Sequence, residues 1–403
     1  MQPVLDGLGL GHLEEEEIGG TASRLDPPLL IVSHLKWKVE NLAPELGHPS
    51  GIVAVDHDAL PAQTHVAILQ WASETNLRGP GMHAAVVTSF GSPPHHQEYP
   101  APVATDERGA VIDVLAAGLH PRVRSQADGS HYTSTGRLPF VPGVDGVGRD
   151  AHGLLRYFVV PETAVLGSMA EQTLVDLRGS VVLPPDSDPV AIAAAMNPAM
   201  SSWVALRQRV RFQAGQSVLI LGATGSTGQM AVQVAKLLGA DRIVAAGRDP
   251  VRLSGLAALG ATDTVSLAGD PATVARQVGE ASGDIDFVID YVWGEPAASA
   301  MVALVTGRAD RARPLTWIEV GSVAGATAAI PSAVLRAARL QIVGSGQGSV
   351  SASEYLAELP ALATAITSGT LRIRARPVPL ADVERAWTES AESEQRIVLV
   401  PGP

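Results

Sequence analysis

Short apolar segments alternate with segments rich in alanine and leucine through the second half of the chain. Each apolar segment has the length of a strand and ends in small or polar residues, and the spacing leaves room for a crossover helix. Strands this apolar are typical of a parallel sheet covered on both faces, so the pattern predicts a doubly wound α/β fold. The predicted strands begin at Val218 and then span Arg242–Gly247, Asp263–Leu267, Asp286–Asp290, Thr316–Gly321 and Leu340–Gly344.

The first predicted strand runs directly into a glycine-rich turn and then into a helix. Glycines in such a turn let the backbone approach a pyrophosphate, and the helix start offers unpaired N–H groups and a positive dipole end. The GxxGxxG spacing is looser than GxGxxG, so the strand pattern carries much of the prediction; the alternative is a tight turn without a ligand. The predicted dinucleotide contacts are Gly222, Ala223, Thr224, Gly225, Ser226, Thr227 and Gly228.

The end of the next strand indicates which dinucleotide binds. Enzymes that use NAD usually carry Asp or Glu about 20 residues beyond the glycines, whereas a 2′-phosphate prefers a nearby arginine. Gly247 stands nineteen residues after Gly228 and has no side chain, which leaves room for a 2′-phosphate. Arg248 follows, and its guanidinium can bind a phosphate through two hydrogen bonds. These residues favour NADPH, with Arg252 as a second phosphate contact. The alternative is that Arg248 is a solvated turn residue.

Composition narrows the class of protein. The 403 residues are 46% hydrophobic and 17% charged, which is typical of a globular chain long enough for two domains. The net charge of −12 argues against nucleic acid and anionic membrane as partners. No apolar run reaches the roughly 18 residues of a membrane span, so we expect a soluble cytoplasmic protein with a small-molecule substrate.

Residues 1–81 differ from the rest of the chain. They contain the acidic run Glu14–Glu17 and scattered Pro and Gly, although short apolar pieces also occur. At Met82 the character changes to an apolar strand, His83–Thr88. We therefore treat residues 1–81 as an N-terminal extension of unknown fold and expect the first domain to begin at Met82.

From Met82 to Pro403 the chain resembles the medium-chain dehydrogenase/reductase superfamily, and within it the zinc-independent quinone oxidoreductase-like branch. The motifs are weak singly but specific in this order and spacing. They are Leu138–Gly148, Gly167–Gln172, Asn197–Trp203, the glycine turn, Val288–Gly294 and Glu319–Gly325.

The resemblance implies a GroES-like, β-rich substrate domain from residues 82–200 and 347–403, with a Rossmann NADPH-binding domain at 201–346 inserted between. It also implies a homodimer and a cleft that holds the nicotinamide. Asn197 and Ser201 would lie beside the nicotinamide, although a helix cap before Trp203 explains them equally well. The other residues implied to line the groove or close over the ring are Tyr291, Gly321, Ser322, Gly344, Ser345 and Gly346.

The chain departs from its zinc-dependent relatives in having no cysteine. Alcohol dehydrogenases of this superfamily use a catalytic zinc, commonly with a cysteine ligand. Adjacent histidines such as His95 and His96 point in different directions more often than they chelate, so we expect no metal site. Without a Lewis acid to stabilise an alkoxide, alcohol oxidation is disfavoured.

The segment from Gly118 to Tyr132 holds the candidate proton donors. In related reductases an Asn, an Asp and a Tyr occupy this segment, and here His120, Val123 and Ser125 take those positions. Tyr132 is the first candidate because a phenol can donate to an enolate oxygen, and His120 is the second. Each has a structural alternative: a half-buried aromatic for Tyr132 and a core histidine for His120.

The sequence therefore predicts a zinc-independent NADPH-dependent oxidoreductase that transfers hydride to a quinone or activated enone. Two alternatives stay open. One is reduction of an imine or carbonyl in a biosynthetic pathway, and the other is a non-catalytic NADPH-binding redox sensor.

Overall fold

The computed structural model describes residues 77–403, apart from gaps at 105–107, 132–133, 162–163, 347, 391–392, 394 and 403, and the backbone at 23–24 and 30–31. The chain divides into two compact units, Met1–Arg78 and Gly79–Pro403. In the first unit, β1 (Ser23–Arg24) and β2 (Leu30–Ile31) pair antiparallel. The other described elements follow from residue 77 onward.

The β-rich part of the second unit comprises two sheets. Its strands are β3 (Leu77–Val86), β4 (His95–Pro102), β5 (Gly109–Gly118), β6 (Asp145–Arg149), β7 (Leu155–Val159), β8 (Gln172–Asp176), β9 (Ser180–Val182), β16 (Ala375–Pro379) and β17 (Arg396–Val400). A seven-stranded sheet has the order β16-β17-β5-β6-β7-β9, with β8 also paired to β5, and β3 pairs with β4. The C-terminal segment thus completes a sheet begun much earlier in the chain, and the predicted boundary at Met82 falls inside β3.

A six-stranded parallel sheet forms the other part, which confirms the predicted α/β fold. Its strands are β10 (Ser217–Leu221), β11 (Arg242–Gly247), β12 (Asp263–Ser266), β13 (Phe287–Asp290), β14 (Leu315–Glu319) and β15 (Leu340–Gly344). Their order is β12-β11-β10-β13-β14-β15. Alternate residues of β10 enter two separate cores: Val218 and Ile220 pack in one, Leu219 and Leu221 in the other. The sheet is therefore covered on both faces, as its apolar strands predicted.

Helices flank the sheets and connect their strands. They are α1 (Pro121–Ala127), α2 (Pro189–Val204), α3 (Ser226–Leu237), α4 (Pro250–Ser254), α5 (Leu256–Leu259), α6 (Pro271–Ser282), α7 (Gly294–Gly307), α8 (Ser332–Ala337), α9 (Ala352–Thr367) and α10 (Val383–Glu389). Asp-Pro dipeptides start α2, α4 and α6, where the aspartate caps the helix and proline fills the first position. Aspartate satisfies an otherwise unpaired N–H there, and proline at that position gives up no hydrogen bond.

Helix α2 lies in the core and joins the two parts of the unit. It continues as a π-helical turn through Arg209, and residues 189–209 are long and apolar enough to cross a membrane by length and composition. However, 72% of the apolar window is buried inside the protein. Its core includes apolar residues of β6, β10 and α9, such as Val147, Val218 and Leu359. The apolar composition of α2 is thus explained by packing on all sides.

Candidate functional site

The glycine turn forms a tight cradle between β10 and α3. Gly222 has a φ of +88°, in the left-handed region that favours glycine. The N–H groups of Gly222 and Ala223 both donate to the Ala246 carbonyl, at 2.9 and 2.8 Å. A Cβ atom on Gly228 would lie 2.3 Å from the Gly222 carbonyl oxygen. The turn therefore needs glycine at both ends, which brings the backbone close to any group bound above it.

The start of α3 supplies donors to this cradle. Gly225 is the N-cap and has no side chain, so no side-chain hydrogen bond covers the first turn. The first N–H groups of a helix have no intrahelical acceptor, and the helix dipole adds positive potential there. Ser226 and Thr227 are half-buried in this turn. The cradle fits a pyrophosphate group, which needs close backbone approach and N–H donors.

Two arginines stand at the neighbouring strand end. Arg248 is exposed and makes no hydrogen bond or ion pair with the described part of the chain. Arg252 pairs with Asp249, with 3.2 Å between Nε and Oδ2, and that aspartate also caps α4 through the N–H groups of Val251 and Arg252. Gly247 is buried, and the Thr224 side chain fills the space beside it. Arg248 is therefore the more available cation for a phosphate.

Ser201 and Tyr291 meet beside the glycine turn. The Ser201 hydroxyl lies 3.0 Å from the Tyr291 hydroxyl and donates to the Pro198 carbonyl, also at 3.0 Å. Tyr291 is 9% exposed, and burial raises its pKa to about 12, so it stays a phenol. Asn197 lies one turn before Ser201 and is half-buried. Residues from α2 and from the end of β13 thus come together where the resemblance expects the nicotinamide.

The remaining predicted groove residues follow the ends of β14 and β15. The Gly321 N–H donates to the Asp290 carbonyl at 3.1 Å, and the Ser345 N–H donates to the Glu319 carbonyl at 2.8 Å. Ser322 is exposed and Ser345 is buried. Arg209 of the π-helical turn donates to the carbonyl of Gly344 at 2.8 Å. Gly346 is tied to Ser349 by three hydrogen bonds, two with the Ser349 hydroxyl and one from the Ser349 N–H. All these residues lie at the carboxyl edge of the parallel sheet.

Sequence reasoning missed two carboxylates at this edge. Asp290 is fully buried and accepts hydrogen bonds from the N–H groups of Val292 and Trp293 and from Trp317 Nε1, at 2.8 to 3.0 Å. It holds the turn in which Trp293 has a φ of +50°. Burial raises the pKa of Asp290, and burial together with the charge of Asp290 raises that of Glu319. The sequence does carry a signal for both residues, because each is an acidic residue at the end of an apolar strand.

A third missed carboxylate, Asp145, organises the other candidate region. His120 Nε2 lies 3.2 Å from Asp145 Oδ1, and the Tyr157 hydroxyl donates to Oδ2 at 2.8 Å. Tyr355 of α9 interacts with Tyr157 in turn. His120 is 3% exposed. Burial lowers the pKa of His120 although Asp145 favours the charged form, and Arg396 and Arg122 lower it further.

This network changes the interpretation of His120. A neutral imidazole bonded to a carboxylate carries its hydrogen on Nε2, which leaves Nδ1 as an acceptor. His120 is therefore poorly suited to donate a proton near neutral pH.

The segment before His120 packs closely on α2. A Cβ atom on Gly118 would lie 2.6 Å from the Ala193 carbonyl. Ala193, Asn197 and Ser201 lie four residues apart and so share one face of α2. Tyr132, the first candidate donor, lies outside the described residues.

Metal-binding side chains are not grouped in the part of the chain that the structure describes. No three His, Asp or Glu side chains there come close enough to hold a metal ion.

Comparisons with known proteins identify relatives of this chain. Residues 226–363 match the zinc-binding dehydrogenase family. A probable NADPH-dependent quinone reductase of Emericella nidulans is 30% identical over 363 residues, covering 79% of this chain and all of the relative. The quinone oxidoreductase of Thermus thermophilus, solved also with NADPH, is 25% identical with a TM-score of 0.66 and covers 79% of this chain and 100% of that one. A 2-methylene-furan-3-one reductase from Solanum lycopersicum is 32% identical over 155 residues, 34% of this chain and 40% of that protein.

These likenesses define the class as an oxidoreductase with a Rossmann domain. The chain belongs to the medium-chain dehydrogenase/reductase superfamily and, within it, to the quinone oxidoreductase-like branch. The resemblance drawn from the sequence motifs is thereby confirmed.

Proposed function

We propose that this enzyme uses NADPH to reduce a quinone or an activated enone, without a zinc ion. Relatives support both acceptor classes: one is named a NADPH-dependent quinone reductase and another, from Arabidopsis thaliana, a NADPH-dependent alkenal/one oxidoreductase. Quinones and enones share a carbon made electron-poor by conjugation with a carbonyl group. NADPH, when bound, supplies the hydride for that carbon.

The observation that carries the coenzyme assignment is the glycine cradle beside the exposed cation Arg248. The turn from Gly222 to Gly228 would hold the pyrophosphate on the first N–H groups of α3. Arg248 would bind the 2′-phosphate, and Arg252 would support it once released from Asp249. Asn197, Ser201 and Tyr291 would border the nicotinamide.

The available residue types support chemistry without zinc. The chain has no cysteine, and the segment that matches the zinc-binding dehydrogenase family, residues 226–363, contains no histidine. Alcohol oxidation in this superfamily relies on a Lewis acid, whereas a conjugated acceptor is already polarised. The sequence therefore suits an activated acceptor better than an alcohol.

The reduced acceptor then needs a proton. Tyr132 is the first candidate donor, and water is the alternative. His120 suits a different task, because its Nδ1 accepts a hydrogen bond while Asp145 holds the ring in place. Such an acceptor can orient a water molecule or a substrate hydroxyl.

Calorimetry with NADPH and NADH tests the coenzyme assignment directly. We expect Arg248→Glu to weaken NADPH binding by about 2 kcal/mol, roughly 30-fold, while NADH binding barely changes, because the variant repels the 2′-phosphate. Arg311→Glu is the matched control, since Arg311 is exposed and lies just before β14, at the opposite edge of the sheet. Equal loss of both coenzymes in Arg248→Glu would remove the phosphate assignment.

Turnover is then measured as NADPH consumption with quinones and enones. We expect consumption with at least one acceptor class, unaffected by a chelator. Binding of NADPH without consumption across the panel would favour a redox sensor instead.

A further inference from the structure

The end of β11 is held rigidly against the glycine turn. Gly222 and Ala223 both donate to the Ala246 carbonyl, and on the other side the Leu267 N–H donates to the Gly247 carbonyl at 2.8 Å. Gly247 has no left-handed φ, unlike Gly222, so its backbone conformation admits any residue. The reason for glycine at this position must therefore be space.

Thr224 occupies that space. A Cβ atom on Gly247 would lie 2.3 Å from Thr224 Cγ2, 2.8 Å from Oγ1 and 3.0 Å from Cβ. Rotation about χ1 moves the γ atoms but leaves the 3.0 Å contact with Cβ, which is tighter than an ordinary van der Waals contact. The Thr224 carbonyl also accepts a hydrogen bond from Gln229 Nε2 at 3.1 Å, which opposes a shift of the backbone there. Thr224 thus excludes side chains from position 247.

This exclusion bears on coenzyme choice. A carboxylate at the end of the second strand would bond the ribose hydroxyls of NADH and repel a 2′-phosphate. Arg248, the next residue, offers attraction to that phosphate. Selection of NADPH would then have two parts, an attractive cation and a barrier to the competing carboxylate.

We propose that Thr224 is a specificity-determining residue that excludes an acidic side chain from position 247 at the end of β11 and so favours a coenzyme with a 2′-phosphate. This inference rests on the proposed function, because it assumes that NADPH binds at the glycine turn. Its distinct claim is that Gly247 alone cannot be exchanged for an acidic residue, and that removing the Thr224 side chain makes the exchange feasible.

A double-mutant cycle tests this claim on the full-length protein. The four proteins are wild type, Gly247→Asp, Thr224→Gly and the double variant. Melting temperature and the dissociation constants for NADPH and NADH are measured for each. We expect Gly247→Asp to melt lower and to lose at least tenfold in affinity for both coenzymes, because the new side chain displaces the turn.

The double variant should regain most of the melting temperature and bind NADH at least tenfold more tightly than Gly247→Asp, while NADPH stays weak. Thr264→Ala combined with Gly247→Asp is the control, since Thr264 is exposed on the edge strand β12 and the three atoms nearest to a Cβ at position 247 all belong to Thr224, and it should restore nothing. A Gly247→Asp single variant that is stable and already binds NADH as well as the double variant would overturn this inference alone. A wild-type protein that binds neither coenzyme would instead overturn the proposed function, and the specificity role with it.

Discussion

His120 and Asp145 lie 25 residues apart in the chain and share a hydrogen bond in the core. Two further side chains extend the link, Tyr157 from β7 and Tyr355 from α9. A histidine with such partners is oriented and kept neutral, because burial opposes its charge more strongly than one carboxylate favours it. His120, which the sequence suggested as a proton donor, is thus better suited to accept a hydrogen bond at a fixed position.

The pH dependence of stability should show this burial. The pKa of His120 is lowered in the folded state. As pH falls below about 6.5, His120 therefore binds a proton in the unfolded chain but stays neutral in the folded one. The free energy of unfolding should then fall by up to about 1.4 kcal/mol per pH unit for this group. His131, whose pKa burial also lowers, adds to the same trend.

Urea unfolding of wild type and His120→Gln between pH 7.5 and 5 measures the effect. The variant should lose part of the slope below pH 6.5, whereas His152→Gln serves as the control for loss of an exposed imidazole. An unchanged slope in His120→Gln would contradict the buried neutral histidine.

Gly228 gives a prediction that depends on space alone. Gly228→Ala places a Cβ atom 2.3 Å from the Gly222 carbonyl, so α3 must move away from β10. Overpacking of this kind costs about 1–3 kcal/mol, and we expect NADPH affinity to fall at least tenfold. Gly225→Ala is the matched control for stability, because its Cβ would lie 3.6 Å from the same oxygen, and its free energy of unfolding should stay close to that of the wild type. Similar losses of stability in both variants would argue against a steric cause.

At the scale of elements, Glu358 links α9 to α2 and its π-helical turn. Its buried carboxylate accepts from Trp203 Nε1 and Arg207 Nε, both at 2.7 Å, and from Gln208. Burial opposes ionisation of Glu358, yet these three bonds leave its pKa lowered. The turn also reaches Gly344 through Arg209, so α2 and its π-helical turn are hydrogen-bonded to both α9 and the end of β15.

Glu358→Ala should therefore destabilise the fold by about 3 kcal/mol, because it leaves buried hydrogen-bond donors without an acceptor. Glu280→Ala, which removes an exposed ion pair with Arg276, should cost less than about 0.5 kcal/mol. Denaturant titration measures both. A loss in Glu358→Ala no larger than in Glu280→Ala would show that the link contributes little.

At the scale of the molecule, the unit from Gly79 to Pro403 contains every site residue considered above. The Emericella nidulans relative has counterparts for only 79% of this chain. The second unit, with β3 complete, makes up a similar share of the chain.

A chain of residues 77–403 should unfold cooperatively and bind NADPH within about twofold of the full protein. A chain of residues 87–403 should fail to fold stably, because it lacks β3, where Met82, Ala84 and Val86 are buried and Ala85 donates to the Met169 carbonyl. Weak binding by a stably folded 77–403 chain would assign the first unit a part in the site.

The sequence by itself determined the parallel sheet and the glycine turn. Val218–Leu221 and the five later strands are apolar runs with glycine or polar ends, and these signals are local, so each strand was predicted within a few residues. The motifs containing Asn197, Ser201 and Tyr291 indicated a groove, although their meeting was inferred from a resemblance.

Only the tertiary structure decided which distant residues touch. Asp145 bonds His120, Glu358 bonds Trp203 from 155 positions away, and Thr224 fills the space beside Gly247. No local sequence pattern predicts these contacts, because burial and contact arise only when separate helices and strands pack together. The spacing of apolar residues along the sequence determines the helices and strands. Packing between them determines the charge state of His120 and the space available at the end of β11.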